Sequence, residues 1–261
     1  MIRILASDFN NYEKRDGQKI AHPMDNSNGI VDQIKSSLKD YKKIVFVASD
    51  MDNSHENVLV YANILFDSMK MVGINFDEYL VLDGENRKRA DEYIMDASLV
   101  FLCGGDTYKQ HEFFIEINLK ELLKNYQGLV IGQSAGALNM ADKVFNSPEE
   151  QENSEPVFYD GLGLTNINIE PHFVYDTLDF DDNEKYQRDA IMKESFNRPI
   201  YGQCNGSHIF IDNNDIVTIY GVTYLIHNGN IGYICKNGSH IIINNVIEDK
   251  KWNREKILRY C

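Results

Sequence analysis

Positive charge is scarce in this chain: 26 lysines and arginines stand against 40 aspartates and glutamates, for a formal charge of -14. Binding to nucleic acid or to an anionic membrane needs a basic footprint, so neither partner is expected. Long apolar runs are missing too. No stretch approaches the roughly 18 residues of a membrane span. Met1-Ile2-Arg3-Ile4-Leu5 is too short for the apolar region of a secretion signal before Asp8 and Asn10 interrupt it, so a cytoplasmic location is expected. The four cysteines, Cys103, Cys204, Cys235 and Cys261, show no C-x-x-C spacing, which indicates neither a zinc site nor a disulfide framework. No H-E-x-x-H or comparable ligand cluster occurs, so neither a metal nor a cofactor is expected. Repeats and low-complexity linkers are absent as well, which leaves a single domain over residues 1–261. Its 43% hydrophobic residues can fill a sizeable core.

What is present alternates. Ile2 to Ser7, Lys43 to Ala48, Tyr79 to Leu82 and Ser98 to Leu102 read as short buried strands. Between them lie helical patterns at Ile30 to Leu38, at Val58, Tyr61, Ala62, Leu65 and Met69, and in the charged stretch 85 to 95. Phe113, Ile117 and Leu122 mark a further helix. This alternation predicts a three-layer αβα domain with a mainly parallel central sheet, whose ligands bind at the carboxyl ends of the strands. The polar stretch from Asp8 to Asn28 reads as irregular. In the second half, residues 146 to 162 read as an acidic loop, Leu164 to Ile169 as a half-exposed strand, and 176 to 184 as a second acidic loop. His208 to Ile211, Ile216 to Tyr220, Thr223 to Ile226 and Ile231 to Cys235 read as a ribbon of hairpins, with turn signals at Asn228-Gly229 and Asn237-Gly238.

One stretch concentrates chemistry. Gly128-Leu129-Val130-Ile131 is an apolar run, Gly132-Gln133-Ser134-Ala135-Gly136 follows, and Ala137 to Ala141 reads as the first turns of a helix. A serine at a glycine-flanked strand-to-helix turn is the pattern of a nucleophile elbow. The glycines relieve a strained backbone and allow close approach of strand, helix and substrate. The helix beyond aims free N–H groups and the positive end of its dipole at the serine's surroundings, which suits an oxyanion.

Three motifs in order, Gly104-Gly105-Asp106-Thr107, Gly132-Gln133-Ser134-Ala135-Gly136-Ala137 and Ile169-Glu170-Pro171-His172-Phe173, make the chain resemble the peptidase E family of serine exopeptidases. That family is related to the cyanophycinases within the class I glutamine-amidotransferase-like fold. Tyr201 to Ile209, Gly221-Val222-Thr223-Tyr224 and the Asn228-Gly229 turn extend the resemblance over about residues 43–235. The segment 8–28 and the tail 237–261 match nothing in it.

The resemblance implies that Ser134 is the nucleophile and that His172, 38 residues downstream, is its base. It further implies an oxyanion hole formed by the N–H groups of Gly105 and Ala135, each such donor typically worth about 3–4 kcal/mol in the transition state. His111 and His208 are the other histidines that could approach the pocket. The third member departs from the family pattern, because Asn205 stands where an acid is usual. Either the Asn205 carbonyl orients the imidazole, or Glu149 or Glu150 supplies a carboxylate, or catalysis has been lost. The expected function is a dipeptidase acting on short peptides; the alternative is a degenerate peptidase E-like binding protein. Asp106 and Arg188 are the candidate substrate-binding residues, Arg188 because a carboxylate beside the scissile bond calls for an arginine. The acidic loops argue the other way, since they would repel such a substrate and attract an amine. Oligomeric state has no signature in the sequence.

Overall fold

The computed structural model describes residues 1–148, 155–174 and 182–243, with 182–186 described in backbone only. Strand β1 (Ile2–Ala6) is followed by the hairpin of β2 (Tyr12–Arg15) and β3 (Gln18–Ala21). Next come helix α1 (Ile30–Ser37), β4 (Lys43–Val47), α2 (His55–Met71), β5 (Glu78–Leu82), α3 (Ala90–Ile94), β6 (Leu99–Leu102), α4 (Thr107–Glu116), α5 (Leu119–Leu123), β7 (Leu129–Gln133) and the short α6 (Ala135–Leu138). The second half holds β8 (Lys143–Asn146), β9 (Val157–Asp160), β10 (Asn168–Glu170), α7 (Asp182–Glu194), β11 (Ile200–Gln203) and β12 (His208–Ile211). It closes with β13 (Val217–Tyr220), β14 (Thr223–His227), β15 (Asn230–Cys235) and β16 (His240–Ile243).

Apolar runs without alternation form the middle of the large sheet. β4, β6 and β7 are buried at nearly every position, as strands covered by helices on both faces must be. The strand order is β16-β13-β12-β1-β7-β6-β4-β5. β1, β7, β6, β4 and β5 run parallel; β12, β13 and β16 extend the sheet antiparallel beyond β1. The architecture is the three-layer α/β arrangement expected. Helix α2 starts where the Ser54 hydroxyl accepts the Asn57 N–H, a side-chain cap for an orphan donor. Val58, Ala62, Leu65 and Met69 form its buried stripe, but Tyr61 is half exposed rather than part of that stripe.

Several elements differ from the sequence pattern. Residues 8–28 are not irregular throughout: Asp16-Gly17, both at positive φ (51° and 80°), turn β2 back onto β3. The expected ribbon of hairpins is divided between two sheets. β12 and β13 join the large sheet, whereas β14 and β15 complete a smaller one of order β10-β11-β14-β15. Asn228-Gly229 is a two-residue turn with positive φ at both positions, the primed geometry that fits strand twist. The Asn237-Gly238 turn instead carries the chain from β15 in the smaller sheet to β16 in the large one. Within 146 to 162, β9 pairs antiparallel with β8. The strand expected at 164–169 is confined to Asn168–Glu170. The smaller sheet has its own apolar cluster of Phe145, Ile191, Ile200 and Ile226.

The register puts the carboxyl ends of β1, β7 and β6 side by side, delivering Ser7, Ser134 and Gly104-Gly105 to one edge. The parallel pair β10 and β11 brings His172 and Asn205 to the same place from the smaller sheet.

Candidate active site

Ser134 follows β7 directly and holds φ 50°, ψ −113°, a conformation that strains an L-residue. Close packing fixes it there. A Cβ on Gly132 would lie 2.6 Å from the Ala137 nitrogen, and one on Gly136 would lie 2.2 Å from the Leu102 carbonyl oxygen. Only glycine at both positions lets α6 press against β7 and β6. The Ser134 N–H donates to the Ala6 carbonyl at 2.9 Å, which ties the turn to β1.

His172 and Asn205 reach this serine from loops that follow β10 and β11. His172 Nε2 lies 3.0 Å from Ser134 Oγ, and His172 Nδ1 lies 2.7 Å from Asn205 Oδ1. An amide oxygen only accepts, so Nδ1 carries the proton and Nε2 presents a lone pair to the serine hydroxyl. The backbone of His172 is itself at positive φ (56°). A further residue holds it there: the fully buried Ser7 accepts the His172 N–H at 2.7 Å and donates its own hydroxyl to Asn205 Oδ1 at 3.4 Å. Ser7 has no motif in the sequence. Its one signal is its position at the end of the strand beside the one that delivers Ser134. Glu149 and Glu150 lie outside the described residues, as does most of the second acidic loop.

Gly105 sits at φ 147°, where a Cβ would fall 2.2 Å from Ser49 Oγ. The N–H groups of Gly105 and Ala135 make no backbone hydrogen bond to a described residue; that of Ala135 is an orphan of the helix start. Asp106 caps α4, its Oδ1 accepting from the Tyr108 and Lys109 amides at 3.0 and 2.9 Å. Both Gly105 and Asp106 line a cavity of about 430 Å³ whose wall includes Ser134 and His172. Phe46, Leu65 and Phe101 give the cavity an apolar side, while Asp8, Asp50 and Asn53 give it a polar one. The hairpin adds Tyr12 and Lys19, which the sequence reading left unassigned. Arg188, on α7, is not among the residues that line the cavity.

The remaining histidines and buried acids lie apart from the cavity. His111 packs at a tilt against Tyr159, their ring centres 4.1 Å apart and their planes 32° apart. His208 is buried and bonded through Nε2 to Gln33 Oε1 at 2.7 Å, and burial lowers its pKa to about 3. Glu170, two residues before His172, is buried, and desolvation raises its pKa to about 7 against the opposing pull of bonds from Ser147 and Gln187.

A family model described as Peptidase family S51 matches residues 21–219. Comparison with curated protein sequences gives no significant match. Among solved structures, a peptidase from an acI-B1 actinobacterium superposes with a TM-score of 0.65 at 15% identity, covering 93% of this chain and 96% of its own. A peptidase E-type protein from Listeria monocytogenes EGD-e gives 0.53 at 18% identity, covering 85% and 96%. At such identities the likeness speaks for the fold, while the family match speaks for descent.

Proposed function

Because the chain belongs to peptidase family S51, a family of serine peptidases, we propose that it is a dipeptidase that cleaves short peptides through Ser134, His172 and Asn205. The observation that carries this reading is the 3.0 Å approach of His172 Nε2 to Ser134 Oγ in the wall of a cavity. A serine hydroxyl needs a base within that reach to attack at neutral pH. His172 takes the hydroxyl proton as Oγ bonds to the scissile carbonyl carbon, and the carbonyl oxygen gathers negative charge. The N–H groups of Gly105 and Ala135 receive that oxyanion. Collapse of the tetrahedral adduct breaks the C–N bond, and His172 returns its proton to the departing amine. Water, deprotonated by the same histidine, then releases the acyl group from Ser134. Asn205 holds the tautomer throughout but adds no charge to the imidazolium.

A cavity of about 430 Å³ is the size of a small-molecule pocket and favours a substrate of a few residues over an extended chain. The test is incubation with a dipeptide library, with Ser134→Ala as blank, alongside labelling by a fluorophosphonate. Cleavage and labelling that both vanish in Ser134→Ala are expected. Labelling that survives in the mutant would remove Ser134 as nucleophile, and a parent that is neither labelled nor cleaves any peptide would favour a degenerate binding protein.

A further inference from the structure

Lys19 is the one lysine or arginine among the described residues lining the cavity. It lies on β3, just before the family-matched segment 21–219. Its Nζ sits 4.4 Å from the ring centre of Tyr12 and 4.9 Å from that of Tyr61, both within cation–π range. Tyr12 comes from the paired strand and Tyr61 from α2, so two separate elements hold the ammonium in place. Both rings line the cavity as well.

This lysine has no acid partner among the described residues, although the chain holds 40 acids against 26 basic residues. The acids of the cavity wall are engaged elsewhere. Asp50 pairs with Lys109 at 2.9 Å, Asp106 caps α4, and Asp8 accepts the Asn10 amide at 3.0 Å. Lys14 stands directly across the hairpin from Lys19, an unfavourable like-charge pair that raises the positive potential on this face. A half-buried, pre-positioned cation without an acid partner among the described residues, in the wall of the same cavity as a candidate nucleophile, is the chemistry that receives an anion. The nearby carboxylates disfavour a doubly charged one.

We propose that Lys19 is a specificity residue that receives a single carboxylate of the substrate. The proposal rests on the peptidase reading of this site. The carboxylate can come from an acidic side chain or from the free C-terminus of a dipeptide. Arg188, the cation to which sequence reasoning gives this task, does not line the cavity.

The experiment measures binding by calorimetry on the Ser134→Ala protein, so that no turnover is needed. The probes are aspartyl-alanine, aspartyl-alanine amide, asparaginyl-alanine and asparaginyl-alanine amide. Adding Lys19→Met, which keeps an apolar stem between the tyrosines, should weaken the probes bearing the recognised carboxylate at least tenfold. The same change should move asparaginyl-alanine amide less than twofold, and Lys19→Arg should retain most of the binding. A loss that follows the aspartyl probes identifies the side chain as the source; one that follows the free acids identifies the C-terminus. Equal affinity of Lys19→Met and its parent for all four probes would overturn the proposal. So would an equal loss on all four, which indicates a packing role, or the failure of every probe to bind the folded parent. If Lys19-dependent binding holds while the unmutated protein cleaves nothing, the peptidase reading falls and the carboxylate site stands.

Discussion

Replacing Asn205 by aspartate perturbs one quantity, the charge facing His172 Nδ1. The oxygen there already lies 2.7 Å from the ring nitrogen, so a carboxylate keeps the hydrogen bond and adds a full negative charge. Two unit charges 4 Å apart attract by about 1 kcal/mol in bulk water and by about 4 kcal/mol at an effective dielectric of 20. His172 and Asn205 are both exposed, so the lower end applies, at about 1–1.5 kcal/mol or roughly a factor of ten in rate. His172 becomes positive as it takes the serine proton, and the added charge therefore favours the transition state. A roughly tenfold gain is therefore expected in kcat/KM and in fluorophosphonate labelling of Ser134. Asn205→Ala should lose tenfold or more in both. If Glu149 or Glu150 already supplies a charge, Asn205→Asp should slow the enzyme through like-charge repulsion. Wild-type labelling by Asn205→Ala would refute the orienting role outright.

Other outcomes follow from packing and burial. Ser7→Ala removes the acceptor of the His172 N–H, which should lower kcat about tenfold with KM little changed and take about 1–3 kcal/mol from stability; unchanged kcat would deny it a positioning role. Gly136→Ala drives a methyl to 2.2 Å from the Leu102 carbonyl, so denaturant unfolding should show a loss of about 3 kcal/mol or more, and an unchanged midpoint would contradict the close approach of α6 to β6. Glu170 has a folded pKa raised from 4.5 to about 7; its contribution is fully present below the unfolded value and is lost as pH rises through 7, up to about 3 kcal/mol. Glu170→Gln should abolish that decline in denaturation midpoints between pH 5 and 8. His208 has the opposite slope, since its pKa falls from 6.5 to about 3 on folding, so stability should drop as pH falls below 6.5, and His208→Gln should flatten that limb.

Local physics explains which features the sequence reveals. Leu99-Val100-Phe101-Leu102 and Leu129-Val130-Ile131 are apolar without alternation, and a strand buried on both faces needs nothing more to be recognised. The sharp turn at Ser134 is legible because glycines at 132 and 136 are demanded by backbone contacts within a few residues or one strand away. The hairpin of β2 and β3 hid behind its composition: Tyr12-Glu13-Lys14-Arg15 and Gln18-Lys19-Ile20-Ala21 have no apolar alternation, and only Asp16-Gly17 announces the turn. Ser7 escapes because its contact with His172 spans 165 residues of sequence. The sheet that each C-terminal strand joins is likewise a long-range choice. Asn228-Gly229 fixes the pairing of β14 with β15, but no local signal says that β13 belongs with β12 and β16 while β14 belongs with β11.

Ser134 ends a strand of the large sheet, whereas His172 and Asn205 follow strands of the smaller one, and Ser7 spans the gap. Under the proposed mechanism, turnover is therefore a readout of how the two sheets are docked. A displacement of about 1 Å between them would leave every ladder hydrogen bond intact yet separate base from nucleophile, enough to lower the rate by about two orders of magnitude. Under mild denaturant such a molecule would fall silent while its circular dichroism stayed native, because partial openings need less free energy than global unfolding.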